Sequence, residues 1–287
     1  MRRWVAACLA GVMIMGSVTS AQAAEPWALE DGVFMASDGK TIIDGALEKG
    51  ISISKYQNRA GDINWKKLAS QDITFAMIRL GDADEKDPFF DINMESADSH
   101  RLKMGVVYSS KALTKEKIKA EAAYVLDEIR TYSVSYPVAL DVDSQYMISK
   151  GLEKQEIVEV VNAFCKVIED AGYSTVIYGD YETLTKSLDN ALIPYNIWYV
   201  RYGVGNKFKH RTMWQCTDSA KVDGIPGFVC LEFCFADYTK LFPGTGWRKI
   251  NGIWYYYEEY QLVKNTSIEI DGKTYRFNKN GEIISKK

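Results

Sequence analysis

Tyr136-Pro-Val-Ala-Leu-Asp-Val-Asp143 is an apolar run that ends in two carboxylates. A near-continuous apolar run is what a strand buried on both faces requires. Residues i and i+2 of a strand point the same way, so Asp141 and Asp143 would project together, about 6.6 Å apart along the chain. Similar runs recur on both sides, at residues 50–53, 74–79, 104–108, 174–178, 196–202, 212–215 and 228–233. Helical stripes separate the earlier ones. Ile118, Ala122, Val125 and Ile129 share a face behind a Thr114 N-cap. Ile157, Val161, Phe164 and Ile168 form another stripe that Gly172 ends. Strands alternating with helices imply βαβ units and a parallel sheet. Eight strands point to an α/β, TIM-like barrel that lacks helices between its last three strands, with a doubly wound open sheet as the alternative.

In a barrel the reactive groups sit at the C-terminal ends of the strands. Asp141 and Asp143 fall there, and paired acids suit glycosidic bond cleavage, one donating a proton and one stabilising charge. Asp82 and Asp180 also fall at strand ends, where turn capping is the simpler role. Tyr56, Tyr108, Tyr178, Tyr199 or Tyr202, and Trp214 lie at or near strand ends as candidate sugar-stacking rings.

Composition narrows the function classes. The chain has 287 residues, with 47% hydrophobic and 25% charged, a globular mixture. Its net charge of −3 offers no basic field for nucleic acid. Two histidines, His100 and His210, argue against a histidine-built metal site or a Ser-His-Asp triad. No phosphate-binding GxxxxGK[ST] loop occurs. No metal or other cofactor is therefore expected. The 38 acids, 18 Tyr and 7 Trp are instead suited to carbohydrate.

The motifs in order resemble glycoside hydrolase family 25, the N-acetylmuramidases (lysozymes) that cut peptidoglycan between N-acetylmuramic acid and N-acetylglucosamine. Gly50-Ile-Ser-Ile-Ser-Lys-Tyr-Gln57 is similar to the family's opening motif, Gly-Ile-Asp-Val-Ser-Lys-Trp-Gln. Asp62-Ile-Asn-Trp65, Phe75-Ala-Met-Ile-Arg79, Tyr136–Asp143, Trp198-Tyr-Val-Arg-Tyr202, Met213-Trp-Gln215 and Gly227-Phe-Val-Cys-Leu-Glu232 follow in the family's sequence. The resemblance implies a barrel of five βα units plus three strands. It also implies a cleft holding four acids: an Asp in the opening motif, Asp-x-Glu on the fourth strand, and an Asp on the last. This sequence has Ser52, Asp141, Asp143 and Cys230 at those positions, so only Asp141 is retained. The family's general acid is the Glu, and Asp143 is one methylene shorter. By this resemblance the cleft comprises Asp141 and Asp143 with Ser52, Tyr56, Arg79, Tyr108, Tyr178, Tyr202, Trp214 and Cys230 around them. The replacements imply a barrel that binds peptidoglycan glycan with weak or no hydrolysis. Two alternatives stand beside that expectation. One is an active muramidase with Asp143 as acid and Asp141 stabilising charge; the other is a wall-anchored scaffold for a protein partner.

The chain ends add context. Arg2 and Arg3, the apolar run to Met15 and Ala21-Gln-Ala23 read as a secretory signal peptide over residues 1–23, too short for a comfortable membrane span. The product is expected to be exported and wall-associated, with no stable membrane span after cleavage. Residues 24–49 read as a leader and 50–240 as the barrel. Residues 246–287 repeat at a spacing of 20, Asn251-Gly252 matching Asp271-Gly272, each an apolar stretch, a tight turn and an aromatic strand. These hairpins resemble choline-binding-type cell-wall repeats, in which Trp247, Trp254 and Tyr256 would be the cage aromatics and a choline-bearing wall polymer a candidate ligand. Ser267, Thr274 and Arg276 occupy the matching places of the second unit. The other reading is that the hairpins only cap the barrel. Four cysteines follow the leader. Cys165 falls on an apolar helix face and reads as a buried thiol, while Cys216–Cys230 or Cys216–Cys234 is the expected bridge.

Overall fold

A computed structural model describes residues 27–82, 85–188, 194–203 and 211–286. The expected signal peptide, residues 1–23, lies outside the described residues. Eight strands form the core: β1 (Glu48–Ile53), β2 (Ile73–Asp82), β3 (Lys103–Ser110), β4 (Val134–Val142), β5 (Thr175–Asp180), β6 (Asn196–Val200), β7 (Arg211–Ala220) and β8 (Val229–Cys234). Each pairs with the next in sequence, and β8 and β2 both pair with β1, so the sheet closes into a barrel rather than an open sheet. The six pairings that join β1 to β2 and so on to β7 are all parallel, and β8 runs antiparallel to both β7 and β1.

Helices separate the earlier strands, and the two sequence stripes lie on the long ones at residues 115–129 and 154–170. α1 (Lys55–Ala60), α2 (Trp65–Leu68) and α3 (Phe90–Ser99) come first, then α4 (Lys115–Ile129), α5 (Ser144–Ser149) and α6 (Lys154–Asp170). The Thr114 hydroxyl accepts from the Lys117 N–H and starts α4. Gly172, at φ +87°, turns the chain out of α6. α4 and α6 bury Ile118, Val125, Ile157, Val161 and Phe164 against the outer face of the sheet.

Strand alternation divides the residues between that outer core and the barrel interior. The interior is filled by Phe75, Met77, Val107, Tyr136, Ala139, Val176, Trp198, Met213 and Cys234. Gly50 is required there, because a Cβ on it would stand 2.4 Å from the Phe75 ring. Phe75 in turn stacks on Tyr136, with ring centroids 4.4 Å apart.

The leader segment is part of this body. A short hairpin (Leu29–Glu30 with Val33–Phe34) brings Trp27, Phe34 and Ile43 into the main core. Trp27 meets the ring of Trp214 at 5.8 Å and Phe34 meets that of Phe233 at 5.2 Å. Strands β7 and β8 lack a covering helix, and these residues keep their outer face from water.

Two three-stranded units follow. The first comprises β9 (Gly246–Ile250), β10 (Ile253–Glu258) and β11 (Gln261–Leu262); the second comprises β12 (Ser267–Ile270), β13 (Lys273–Phe277) and β14 (Ile283–Lys286). Asn251 and Asp271 adopt positive φ before Gly252 and Gly272, as tight hairpin turns require. The first unit docks on the barrel. Ile250, Tyr255, Tyr257 and Leu262 join the main core. The Tyr257 hydroxyl donates to the Arg130 carbonyl (2.8 Å), and Asn251 Nδ2 donates to the Ala123 carbonyl (3.0 Å). The buried Arg248 guanidinium lies between the rings of Tyr173 (4.4 Å) and Tyr257 (4.3 Å).

Candidate active site

The C-terminal ends of the parallel strands gather the polar side chains at one mouth of the barrel. From β1 to β5 the inward residues are Ser52, Arg79, Ser109, Asp141 and Tyr178; Gln215 comes from β7 and Cys230 from the start of β8. A small pocket at this mouth is lined by Ser52, Ser54, Tyr56, Gln57, Met77, Arg79, Val107 and Cys230. The loop after β1 is held by a capping box, the Gln57 side chain accepting from the Ser54 N–H at 3.1 Å. It aims Tyr56, on α1, at the pocket. A larger open groove lies at the opposite end, where the strands begin, lined by Glu48, Thr74, His100 and Lys103 among others. Its Glu48 is tied to Lys103 (2.7 Å) and Thr74 (2.7 Å) and lies far from the acids of the mouth.

Asp141 is the central titratable group. Burial pushes its carboxyl up to about 7. The Ser109 hydroxyl, donating at 3.0 Å, and the Arg79 guanidinium oppose that rise, while Asp82 and Asp143 add to it. Near neutrality Asp141 is therefore divided between a neutral acid able to donate a proton and an anion. Arg79 is 7% exposed and its Nη2 meets Asp82 at 2.9 Å, so it brings positive charge into the mouth.

Asp143 is placed differently from the sequence expectation. β4 ends at Val142, and Asp143 is the N-cap of α5. Its Oδ1 accepts from the Tyr146 N–H at 3.0 Å. The two acids thus do not share a strand face: one projects from the sheet and the other begins a helix.

At the mouth end of β1, the Ser52 hydroxyl donates to Glu232 Oε1 at 2.8 Å. Glu232 is fully buried on the inner face of β8, two residues below Cys230. No motif of the sequence marks Glu232 for a role. The signal was its parity with Cys230, which turns both toward the interior. Tyr178 lies among Cys230, Asp141, Tyr202 and Glu232, and burial with these neighbours pushes its hydroxyl well up. That hydroxyl donates to Gln215 Oε1 (3.1 Å), and Gln215 Nε2 donates to the Tyr202 hydroxyl (3.2 Å). Gln215 therefore links a buried ring to Tyr202, which is 47% exposed at the rim.

Two expected cleft rings are elsewhere. Tyr108 is 1% exposed in the outer core, stacked on Phe164 of α6 at 6.2 Å. Trp214 is likewise in the outer core beneath Trp27, its Nε1 donating to the Arg201 carbonyl at 2.8 Å. Each sits one residue from an inward one, Ser109 and Gln215, and strand alternation sends it to the helix side or the leader side. Tyr199 shares the outer core. Asp180 caps the turn after β5, accepting from the Thr183 N–H at 2.8 Å.

The expected disulfide does not form: Cys165, Cys216, Cys230 and Cys234 are all thiols. Cys216 faces outward, donating to the Leu231 carbonyl, whereas Cys230 and Cys234 face the interior. Thiols on opposite faces of neighbouring strands cannot bridge without moving backbone. Burial pushes the Cys165 and Cys216 thiols up. No group of three or more His, Cys, Asp or Glu able to hold a metal occurs among the described residues.

On the C-terminal units the rings converge on Trp247. Its centroid is 4.9 Å from Tyr256, 6.5 Å from Trp254 and 5.0 Å from Tyr275 of the second hairpin. The second unit thus contributes a ring from Tyr275, next to the Thr274 and Arg276 positions compared in sequence.

Comparison with known proteins agrees with this geometry. The profile for "Glycosyl hydrolases family 25" matches residues 51–225, and that for a cell wall binding repeat matches residues 245–259 and 268–283. No curated protein matches the chain. Among solved structures, the modular autolysin LytC of Streptococcus pneumoniae, in complex with a synthetic peptidoglycan ligand, is similar at 22% identity and a TM-score of 0.62. That match covers 72% of this chain and 52% of LytC, so the chain spans about half the length of that relative. A family 25 glycosyl hydrolase from Bacillus anthracis is 18% identical with a TM-score of 0.58, covering 69% of this chain and 94% of its own. The spore cortex lytic enzyme SleM of Clostridium perfringens is 16% identical with a TM-score of 0.58, covering 85% and 84%. At these identities the structures establish the fold alone, while the profile spans more than half of the chain. The chain belongs to family 25 of the glycosyl hydrolases.

Proposed function

We propose that this chain binds the glycan of peptidoglycan at the barrel mouth and hydrolyses it weakly or not at all, working as an exported, wall-associated protein. The observation that carries this reading is the position of Asp143. It stands where the family has a longer general acid, and it gives an oxygen to the α5 N-terminus. One methylene withdraws a carboxyl by about 1 Å, and misplacement on that scale costs about a hundredfold in rate. Ser52 and Cys230 stand in place of two further acids, and the buried Glu232 carboxylate accepts the Ser52 hydroxyl. The means of binding are present: Tyr56 and Tyr202 offer rings, and Arg79 offers charge for a carboxylate of the polymer.

One observation favours residual hydrolysis. The carboxyl of Asp141 is raised to about 7, which suits it to donate a proton in such a reaction. The test combines two readouts on purified insoluble peptidoglycan. The full chain is expected to sediment with it and to leave the turbidity of its suspension unchanged. Clearing by the wild type that Asp143→Asn abolishes contradicts the reading. Clearing abolished by Asp141→Asn alone assigns the residual chemistry to the raised acid.

A further inference from the structure

The C-terminal hairpins carry rings and cations that the barrel mouth does not use. Trp247 pairs with Tyr256 and Lys249 with Trp254, which puts these four on one face of the β9–β10 hairpin. The opposite face, with Arg248, Ile250, Tyr255 and Tyr257, is buried against the barrel. In the second unit Tyr275 pairs with Lys286. Trp247 connects the two units, so Trp254, Trp247 and Tyr275 form a strip, with Trp254 48% exposed. Each outer ring already carries an ammonium of this chain. Lys249 Nζ lies 5.7 Å from the Trp254 centroid and Lys286 Nζ lies 5.3 Å from that of Tyr275, within cation–π range. Residues 246–287 contain eight Lys or Arg against five Asp or Glu, a net of +3 in a chain whose total is −3.

A quaternary ammonium head would have to displace a tethered lysine from the ring and enter a positive field. A glycan strand whose stem peptides carry free carboxylates meets both features favourably: the apolar face of a sugar lies on a ring while a stem-peptide carboxylate beside it meets the adjacent ammonium. We propose that the Trp254–Trp247–Tyr275 strip is a second glycan site, taking carboxylate-bearing strands of peptidoglycan in place of a choline head. The inference rests on peptidoglycan being the polymer that this chain binds.

The test is co-sedimentation of the full chain with two probes: native insoluble peptidoglycan, and the same material with its carboxyls amidated by carbodiimide. Lys249→Gln/Lys286→Gln changes two exposed side chains and leaves the barrel intact. This variant is expected to bind native peptidoglycan about tenfold more weakly, as the loss of two exposed charge pairs implies. It is expected to bind the amidated material as the wild type does, and choline chloride is expected to release neither protein. Trp254→Ala is expected to weaken binding to both materials. Unchanged binding of the lysine variant to native peptidoglycan overturns the inference. So does release of the wild type by choline with tighter choline binding by the lysine variant, since the lysines would then be plugs of a choline cage. Failure of the wild type to sediment with either material removes the peptidoglycan reading itself.

Discussion

Asp141→Asn isolates the electrostatic character of the mouth. The wild-type carboxyl is held near 7 by burial, against an ordinary value of 3.8. Between those values the folded protein binds a proton that the unfolded chain has lost, so stability falls as pH rises from about 4 to about 7 and levels off above. Each tenfold change in proton affinity corresponds to about 1.4 kcal/mol, which puts the ceiling at about 4 kcal/mol. Water at the partly open mouth screens this to about 2 kcal/mol. Asparagine keeps an oxygen to accept the Ser109 hydroxyl and has no proton to lose. Urea unfolding of both proteins at pH 4 and pH 8 reads the effect, and comparing the pH values cancels any fixed cost of the substitution. The variant is expected to gain about 2 kcal/mol on the wild type between pH 4 and pH 8, or about 4–8 °C in Tm. A difference that stays flat with pH refutes the reasoning. A wild type that gains on the variant as pH rises refutes it more strongly, because that is the signature of a carboxylate stabilised as an ion.

Gly50→Ala forces a methyl group against the Phe75–Tyr136 stack and is expected to cost about 1–3 kcal/mol, measured by urea unfolding. Trp27→Ala removes the leader's seal over β7 and β8, with an expected cost of about 3–5 kcal/mol and faster amide exchange at Trp214 and Phe233. Gln215→Ala breaks the link between Tyr178 and Tyr202. It is expected to lower peptidoglycan affinity while stability falls by only about 1–2 kcal/mol, and unchanged affinity would remove Tyr202 from the binding surface.

The barrel was legible in sequence because its strands are buried on both faces and are therefore written as apolar runs. All eight, and the α4 and α6 stripes, lie where those runs and spacings placed them. The leader was not legible as part of the body. Its contributions, Trp27, Phe34 and Ile43, are isolated among the turns Asp38-Gly39 and Asp44-Gly45 and have no period to reveal them. At the mouth, strand ends could be located but not the direction of each side chain. A shift of one residue separates Tyr108 from Ser109 and Trp214 from Gln215, and it exchanges the outer core for the cleft. The same parity separates Cys216 from Cys230 and prevents a bridge. Asp143 differs from the strand expectation because β4 stops at Val142, where a free N–H of the next helix competes for the carboxylate. Glu232 is not legible in sequence because a single acid within an apolar strand has no motif of its own; its partner, Ser52, comes from 180 residues away.

The proposed function is that this family 25 barrel binds the glycan of peptidoglycan and hydrolyses it weakly or not at all. Release of new reducing ends from purified peptidoglycan tests it most directly, with the wild type measured beside Ser52→Asp/Asp143→Glu/Cys230→Asp. The account predicts release near the blank for the wild type and at least about a hundredfold more from the restored variant. A wild type that releases reducing ends as fast as the restored variant would contradict it.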